Sequence, residues 1–121
     1  MLFRSHARKC LAAYERAVAL VPDEPEFRES LFEFYRQAPA MVGGGRDKAL
    51  AQAEAIRRLD PFRGRIVFAK LHVAEGRFAE AFGEFEEVLR TSPDDYLSLY
   101  HVGRLAATTG ESIDQIGRAH V

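Results

Sequence analysis

The 121-residue sequence predicts an all-α fold built from stacked helical hairpins, and two observations carry this prediction. Three segments that each end just before a proline place small or apolar residues at positions i, i+4 and i+7, which is the spacing of one buried helical stripe. A second class of apolar helix follows each proline, and its two later copies superimpose with a shift of 34 residues. Self-similarity of this period is typical of arrays in which each hairpin packs on its neighbours.

The helices that precede the prolines carry the clearest pattern. Proline ends each of them, because it lacks the amide donor and disfavours helical geometry in the residue before it. In the last copy Phe78, Phe82 and Leu89 extend the stripe, so we expect that helix to be buried along its whole length. The aligned positions are Cys10, Tyr14 and Ala17 before Pro22; Ala49, Ala53 and Ile56 before Pro61; and Ala81, Phe85 and Val88 before Pro93.

The helices that follow the prolines form the other half of the unit. Their copies are Phe27–Gln37, Arg65–Gly76 and Leu97–Gly110. At one aligned position the two later copies have the small residues Ala69 and Gly103, and we expect a neighbouring helix to approach closely there. The first copy has the large Phe32 at that position.

These residues together resemble the tetratricopeptide repeat family, whose pattern is W-x2-L-G-x2-Y, then A-x3-F, then P, with a 34-residue period. The resemblance covers roughly Cys10 to Gln115, and its departures are the large Phe32 and the small Ala53, which stands where the family has an aromatic residue. It implies a right-handed α-solenoid segment of antiparallel helical hairpins that binds a protein or peptide partner. The matching residues are Phe68, Ala69, His72, Ala81, Phe85 and Pro93, and in the next copy Leu99, Val102, Gly103 and Ala106.

The repeat boundaries predict incomplete units at both ends. Residues 1–22 form a partial repeat that has only the helix before the proline. Residues 23–61 and 62–95 form repeats, and residues 96–115 form a partial repeat that is mostly the helix after the proline. Terminal repeats of an array need caps, so we expect the last helix, with Leu99, Val102 and Leu105, to lack a full partner and the chain to self-associate. Residues 116–121, IGRAHV, match one reading frame of a widely used short-read sequencing adapter, and we expect them to be an extraneous tail after a truncation.

The glycine run in MVGGGRDKAL, Met41–Leu50, raises the question of a phosphate-binding loop. Such a loop follows a strand and ends in Gly-Lys-Ser/Thr, so that lysine reaches phosphate and the hydroxyl binds magnesium. In this chain a helix precedes the glycines, Arg46 follows them, and alanine follows Lys48. The run therefore predicts an enlarged turn at 38–46, five residues longer than its counterpart, with flexible glycines before a helix that starts near Asp47.

Composition and the remaining residues predict no catalytic, cofactor or metal site. The single Cys10 excludes an internal disulfide, and the histidines His6, His72, His101 and His120 form neither H-x3-H nor H-E-x-x-H. We therefore expect no enzymatic activity in this chain, and we expect His72 to be a half-buried packing residue on its helix.

The charge balance and hydropathy predict which partners are absent. With 17 basic and 18 acidic residues the net charge is −1, which argues against nucleic acid or anionic membrane as the main partner. No apolar run reaches membrane-spanning length and the first residues lack a signal peptide, so the expectation is a soluble chain, cytoplasmic by default, whose compartment is otherwise open.

The helices after the prolines also predict a ligand groove on the concave side of the array. Lys70 and Arg104 are 34 residues apart, so we expect them to stack as adjacent rungs and, with Tyr100, to suit an acidic or carboxylate-bearing segment. Two alternatives stay open: a purely structural array, and a regulatory or substrate-presenting helical segment of a larger enzyme. The groove residues are Glu29, Glu33, Arg36, Ile66, Lys70, Val73, Tyr100 and Arg104.

Overall fold

The computed structural model describes the backbone of residues 2–110 and the side chains of residues 4–110, and over this part the chain is all-helical. The predicted tail, residues 116–121, and the end of the last partial repeat, residues 111–115, lie outside the described residues. No strand occurs within residues 2–110, so the all-α prediction is confirmed for them. The elements are α1 (Leu2–Leu20), α2 (Pro25–Gln37), a 3-10 turn (Ala40–Val42), α3 (Arg46–Leu59), α4 (Pro61–Ala74), α5 (Phe78–Thr91) and α6 (Tyr96–Thr109).

Prolines and short polar side chains set where the helices begin. Pro25 starts α2 and Pro61 starts α4, positions at which the missing amide costs no helical hydrogen bond. Asp95 precedes α6, and its Oδ2 accepts a 2.9 Å hydrogen bond from the backbone amide of Ser98. This N-cap satisfies one of the amides that the first turn leaves without a partner.

The chain forms two compact units, Met1–Gly64 and Arg65–Val121. Unit 1 contains α1, α2, the 3-10 turn, α3 and the first residues of α4. Unit 2 contains the rest of α4 together with α5 and α6. Within each unit consecutive helices pack against each other, as the pairing of α2 with α3 and of α5 with α6 illustrates.

Unit 1 is held together by an apolar core and by polar contacts between its helices. The Tyr35 hydroxyl of α2 donates a 3.1 Å hydrogen bond to Glu15 of α1, and the Arg28 guanidinium of α2 donates a 3.1 Å hydrogen bond to Gln52 of α3. The stripe predicted on α3 is buried, as its spacing indicates. The buried apolar residues of this unit are Leu31, Phe32, Tyr35, Val42, Ala49, Ala53, Ala55 and Ile56.

The glycine run is a turn between α2 and α3, as predicted. Gly43 has φ +103°, and a Cβ added there would lie 2.5 Å from Cδ2 of Leu11 on α1. A Cβ on Gly44 would lie 1.8 Å from the carbonyl oxygen of Ala38, and the amide of Gly45 donates a 2.9 Å hydrogen bond to the carbonyl of Tyr35. The glycines therefore permit a left-handed backbone and close contacts, which is a more specific role than the flexibility expected from the sequence.

A further glycine allows close packing between α3 and the start of α4. A Cβ added to Gly64 would lie 2.5 Å from Cα of Arg57, which is backbone and cannot rotate away. The preceding residue, Arg63, forms a 2.8 Å ion pair with Glu29 of α2. The sequence does not indicate this role of Gly64, because the role depends on the distance between two helices.

Unit 2 has a core to which three helices contribute. The predicted stripe of α5 is buried against the other two helices, which confirms its assignment as the core face. Arg65 of α4 also forms a 3.0 Å ion pair with Glu84 of α5. The core cluster consists of Ala69 from α4, Ala81, Phe82 and Phe85 from α5, and Val102 and Leu105 from α6.

Gly103 differs from its predicted role. Ala69 is fully buried, as expected for a close helix contact, but Gly103 is exposed on α6. A Cβ added to Gly103 would meet none of the described residues within 4 Å. The small side chain is therefore not required by packing in residues 2–110.

Candidate interaction surface

The predicted groove residues of unit 2 lie on α4 and α6, with different exposures. Ile66 is buried, with 8% of its surface exposed, so its side chain contributes little to a ligand surface. Lys70 is half-buried, whereas Val73, Tyr100 and Arg104 are exposed. The surface available to a partner is therefore formed mainly by the cations and the tyrosine.

His101 lies at the centre of these residues. Its imidazole ring stacks on the ring of Phe85, with centroids 5.3 Å apart and planes 8° from parallel. It also meets the ring of Tyr100 edge to face, with centroids 5.6 Å apart. The half-buried His101 thus joins the core of unit 2 to its surface, whereas the sequence predicted a packing role only for His72.

The electrostatics of His101 show that two cations lie near its ring. Burial lowers the pKa of His101 below its ordinary value, and the positive charges of Lys70 and Arg104 lower it further. Lys70 is on α4 and Arg104 is on α6, so charges from two helices act on one imidazole. The guanidinium of Arg104 also lies 5.9 Å from the centroid of the Tyr100 ring, a cation–π distance.

The predicted groove residues of unit 1 are neutralised within that unit. Glu29 pairs with Arg63 at 2.8 Å, and Arg36 pairs with Glu33 at 2.7 Å on the same helix. The side-chain amide of Gln37 donates a second hydrogen bond, of 2.8 Å, to Glu33. These charged residues of unit 1 are therefore paired with one another or with Arg63.

The expected uncovered face of α6 is smaller than predicted. Val102 and Leu105 are buried in the core of unit 2. Leu99 is half exposed, and so are its neighbours Leu97 and Tyr100. The apolar surface beside the cations is thus formed by the other side of α6.

Metal-binding clusters and membrane-spanning helices are absent from the described part of the chain. Among residues 2–110, no three histidine, cysteine, aspartate or glutamate side chains are grouped closely enough to hold a metal ion. In the same range no helix combines the length and the apolar character that crossing a membrane requires. Cys10 is a half-buried free thiol on α1, and His72 is half-buried on α4, as its packing assignment predicted.

Comparison of the sequence with protein-family models and with curated proteins found no match.

Proposed function

We propose that the chain is a protein–protein interaction module of the tetratricopeptide-repeat type, in which unit 2 binds an acidic, carboxylate-bearing peptide or helix on the surface of α4 and α6. The observation that carries this proposal is the Arg104 guanidinium of α6, 5.9 Å from the centroid of the exposed Tyr100 ring, which itself lies beside His101. Lys70 of α4 and Arg104 both lower the pKa of His101, which supports the nearness of the second cation. Cations held on separate packed helices keep a fixed spacing, which favours one arrangement of acidic groups over others.

The chemistry of the surface supports an acidic partner with some apolar character. Arginine can donate two parallel hydrogen bonds to one carboxylate, and lysine adds a second point charge beside it. The exposed Tyr100 and Leu97 offer apolar area next to the cations. A single exposed ion pair contributes about 0–1 kcal/mol, so the affinity must come from both cations and the aromatic surface together.

The repeat architecture is the second part of the proposal. The support for it is the pair of helical hairpins whose buried residues fall at the aligned positions, such as Ala49 with Ala81 and Ile56 with Val88. A right-handed solenoid would present the helices that follow the prolines on its concave side, which is the side that such arrays use for ligands.

Binding of a defined acidic peptide tests the proposal. The probe is a fluorescein-labelled peptide with four consecutive glutamates and a free C-terminal carboxylate, followed by fluorescence anisotropy at constant ionic strength. Lys70→Glu combined with Arg104→Glu should weaken binding at least tenfold, because both attractive charges become repulsive.

The matched control is Arg58→Glu combined with Arg77→Glu, two exposed cations elsewhere whose reversal changes the net charge equally. This control should bind within about twofold of the original chain, apart from long-range screening. Equal loss in both double variants, or no loss in the first, would refute the site. Circular dichroism of each variant establishes that the helices remain.

A further inference from the structure

The charges of α1 are distributed unlike those of the other helices. α1 carries four basic residues, Arg4, Arg8, Lys9 and Arg16, and one carboxylate, Glu15. Glu15 accepts the hydrogen bond from the Tyr35 hydroxyl of α2. The net charge of −1 for the whole chain therefore conceals a strongly cationic first helix.

The four cations share one side of α1. At about 100° per residue they fall within about 140° of the helix circumference, and Arg4 and Arg16 are separated by about 18 Å of helical rise. All four are exposed. Ser5 and Ala12 lie between them, and with Arg4, Arg8 and Lys9 they line a shallow depression on the helix surface. We call the four cations with Ser5 and Ala12 the basic face.

The cations of the basic face form no ion pair with the described residues, unlike several arginines elsewhere. Arg36, Arg63, Arg65 and Arg90 each form ion pairs with a glutamate within their own unit. Among residues 4–110, no carboxylate lies within ion-pair distance of the four cations on α1. Folding therefore leaves their positive charge uncompensated, as a surface for an anionic partner requires.

We propose that the basic face of α1 binds the phosphate backbone of a nucleic-acid duplex without reading its bases. Three of the four cations are arginines, whose planar guanidinium groups match phosphate geometry. Contacts of this kind position a protein on a duplex and carry no sequence information. The proposal reverses the expectation drawn from the net charge, because that average does not report where the charges lie.

The surroundings of the basic face favour a duplex over a membrane or a single strand. An interfacial membrane helix inserts its apolar side, but Leu11 on the apolar side of α1 lies against Gly43 of the 3-10 turn. Single-strand binding uses aromatic side chains as stacking platforms, and the basic face contains none. Binding to the rigid row of phosphates on a duplex needs neither an inserted apolar side nor aromatic stacking.

The salt dependence of binding to a defined duplex tests this inference. The probe is a fluorescein-labelled 20-base-pair DNA duplex of mixed sequence, titrated by anisotropy from about 20 to 200 mM NaCl with the full chain. Four phosphate contacts predict that the association constant falls with salt with a log–log slope of about −3.6. Arg8→Gln combined with Lys9→Gln should reduce the slope to about −1.8 and weaken binding at least tenfold at low salt.

A matched control separates local contacts from net charge. Arg58→Gln combined with Arg77→Gln removes two exposed cations outside α1, so duplex binding and its slope should be unchanged. Glutamine keeps helix propensity at the exposed α1 positions, and circular dichroism verifies the fold. Lys70→Glu combined with Arg104→Glu should also leave duplex binding unchanged within about twofold, so this result is independent of the peptide site.

Three results would overturn the inference. They are no binding of the duplex at 20 mM NaCl, an equal loss in the α1 and control variants, and tighter binding of a polyglutamate peptide or of vesicles containing phosphatidylserine than of the duplex. The last comparison uses the Lys70→Glu/Arg104→Glu chain, so that the proposed peptide site of unit 2 does not contribute. Tighter binding of polyglutamate would assign the basic face to an acidic protein, and tighter binding of the vesicles would assign it to a membrane surface.

Discussion

In unit 1 the large side chain of the aligned core pair comes from α2, whereas in unit 2 it comes from α5. The pair is Phe32 on α2 with Ala53 on α3 in the first case, and Ala69 on α4 with Phe85 on α5 in the second. All four side chains are 0% exposed. The positions correspond in the repeat alignment, so one phenylalanine and one alanine have exchanged helices.

This exchange indicates that packing constrains the summed volume of the two side chains. Helix contacts are packed to the density of organic crystals, so a second phenylalanine would overfill the contact and two alanines would leave a void. Phe32 and Ala53 each depart from the repeat pattern, and taken singly each weakens the resemblance. Taken together they keep the summed volume of the aligned pair, and both are buried in the unit in which α2 packs on α3.

The largest expected effect is the loss of either phenylalanine. Phe32→Ala and Phe85→Ala should each lower the free energy of unfolding by about 3–5 kcal/mol, because a fully buried ring leaves a cavity. Phe27→Ala is the matched control, since Phe27 lies on α2 with 37% of its surface exposed and should cost clearly less. Urea denaturation followed by circular dichroism measures all three.

A double variant tests whether the two positions compensate. Phe32→Ala combined with Ala53→Phe transfers the ring to α3, as in the arrangement of unit 2, and should recover part of the stability lost in Phe32→Ala. Ala53→Phe alone should cost about 1–3 kcal/mol by overpacking. If the two single losses simply add, the side chains do not share one contact and the volume argument fails.

A smaller effect, with opposite signs in the two units, is expected at two helical glycines. Gly64→Ala in unit 1 should destabilise by about 1–3 kcal/mol, because its Cβ would meet Cα of Arg57 at 2.5 Å. Gly103→Ala in unit 2 should stabilise by about 0.5–1 kcal/mol, since alanine favours the helix and nothing described lies within 4 Å. Thermal unfolding of the two variants compares the same chemical change in both places.

Equal effects of the two alanines would show that helix propensity alone decides their stability. Gly64→Ser offers a further check on the crowding at Arg57, because its Cβ meets the same backbone atom. It should therefore be at least as destabilising as Gly64→Ala.

The core was predictable from the sequence because its signal is local. The stripe of α5 follows from helical spacing, which neighbouring residues determine. The starts of α2 and α4 were less well predicted, because these helices begin at Pro25 and Pro61, before the expected Phe27 and Arg65. Gly64 and Gly103 show the limit of such signals. Both are single glycines within helices, and only the distance to another helix distinguishes the crowded one from the open one.

The candidate surface was predictable in part. The 34-residue separation of Lys70 and Arg104 indicates that they are related positions, whereas Ile66, which was placed in the same groove, is buried. The reason is that Val67, Ala69 and Leu71 on α4 are also buried, so the helix is covered on more than one side. When apolar residues surround a helix, periodicity no longer indicates which side faces a ligand.

The last expected effects are pH dependences on opposite sides of neutrality. In unit 1, burial and the hydrogen bond to Glu15 raise the pKa of Tyr35 to about 12. Between pH 10 and 12 the unfolded tyrosine therefore releases a proton that the folded one keeps, so folding stability falls as pH rises. In unit 2 the pKa of His101 is lowered, so the unfolded histidine binds a proton more readily and stability falls as pH drops below about 6.5.

Two variants should each reduce one of these two losses of folding stability, at high pH (the alkaline flank) or at low pH (the acid flank). Tyr35→Phe should reduce the loss of stability above pH 10, and His101→Gln should reduce the loss below pH 6.5, each without affecting the other flank. Tyr100→Phe and His6→Gln are the controls, because both side chains are exposed. The midpoints of urea denaturation, measured at intervals from pH 5 to 11, compare the pH dependence of stability of these variants with that of the original chain. If a control variant reduces the pH dependence of stability as much as the matching variant does, burial of the titrating side chain is not what distinguishes the two units.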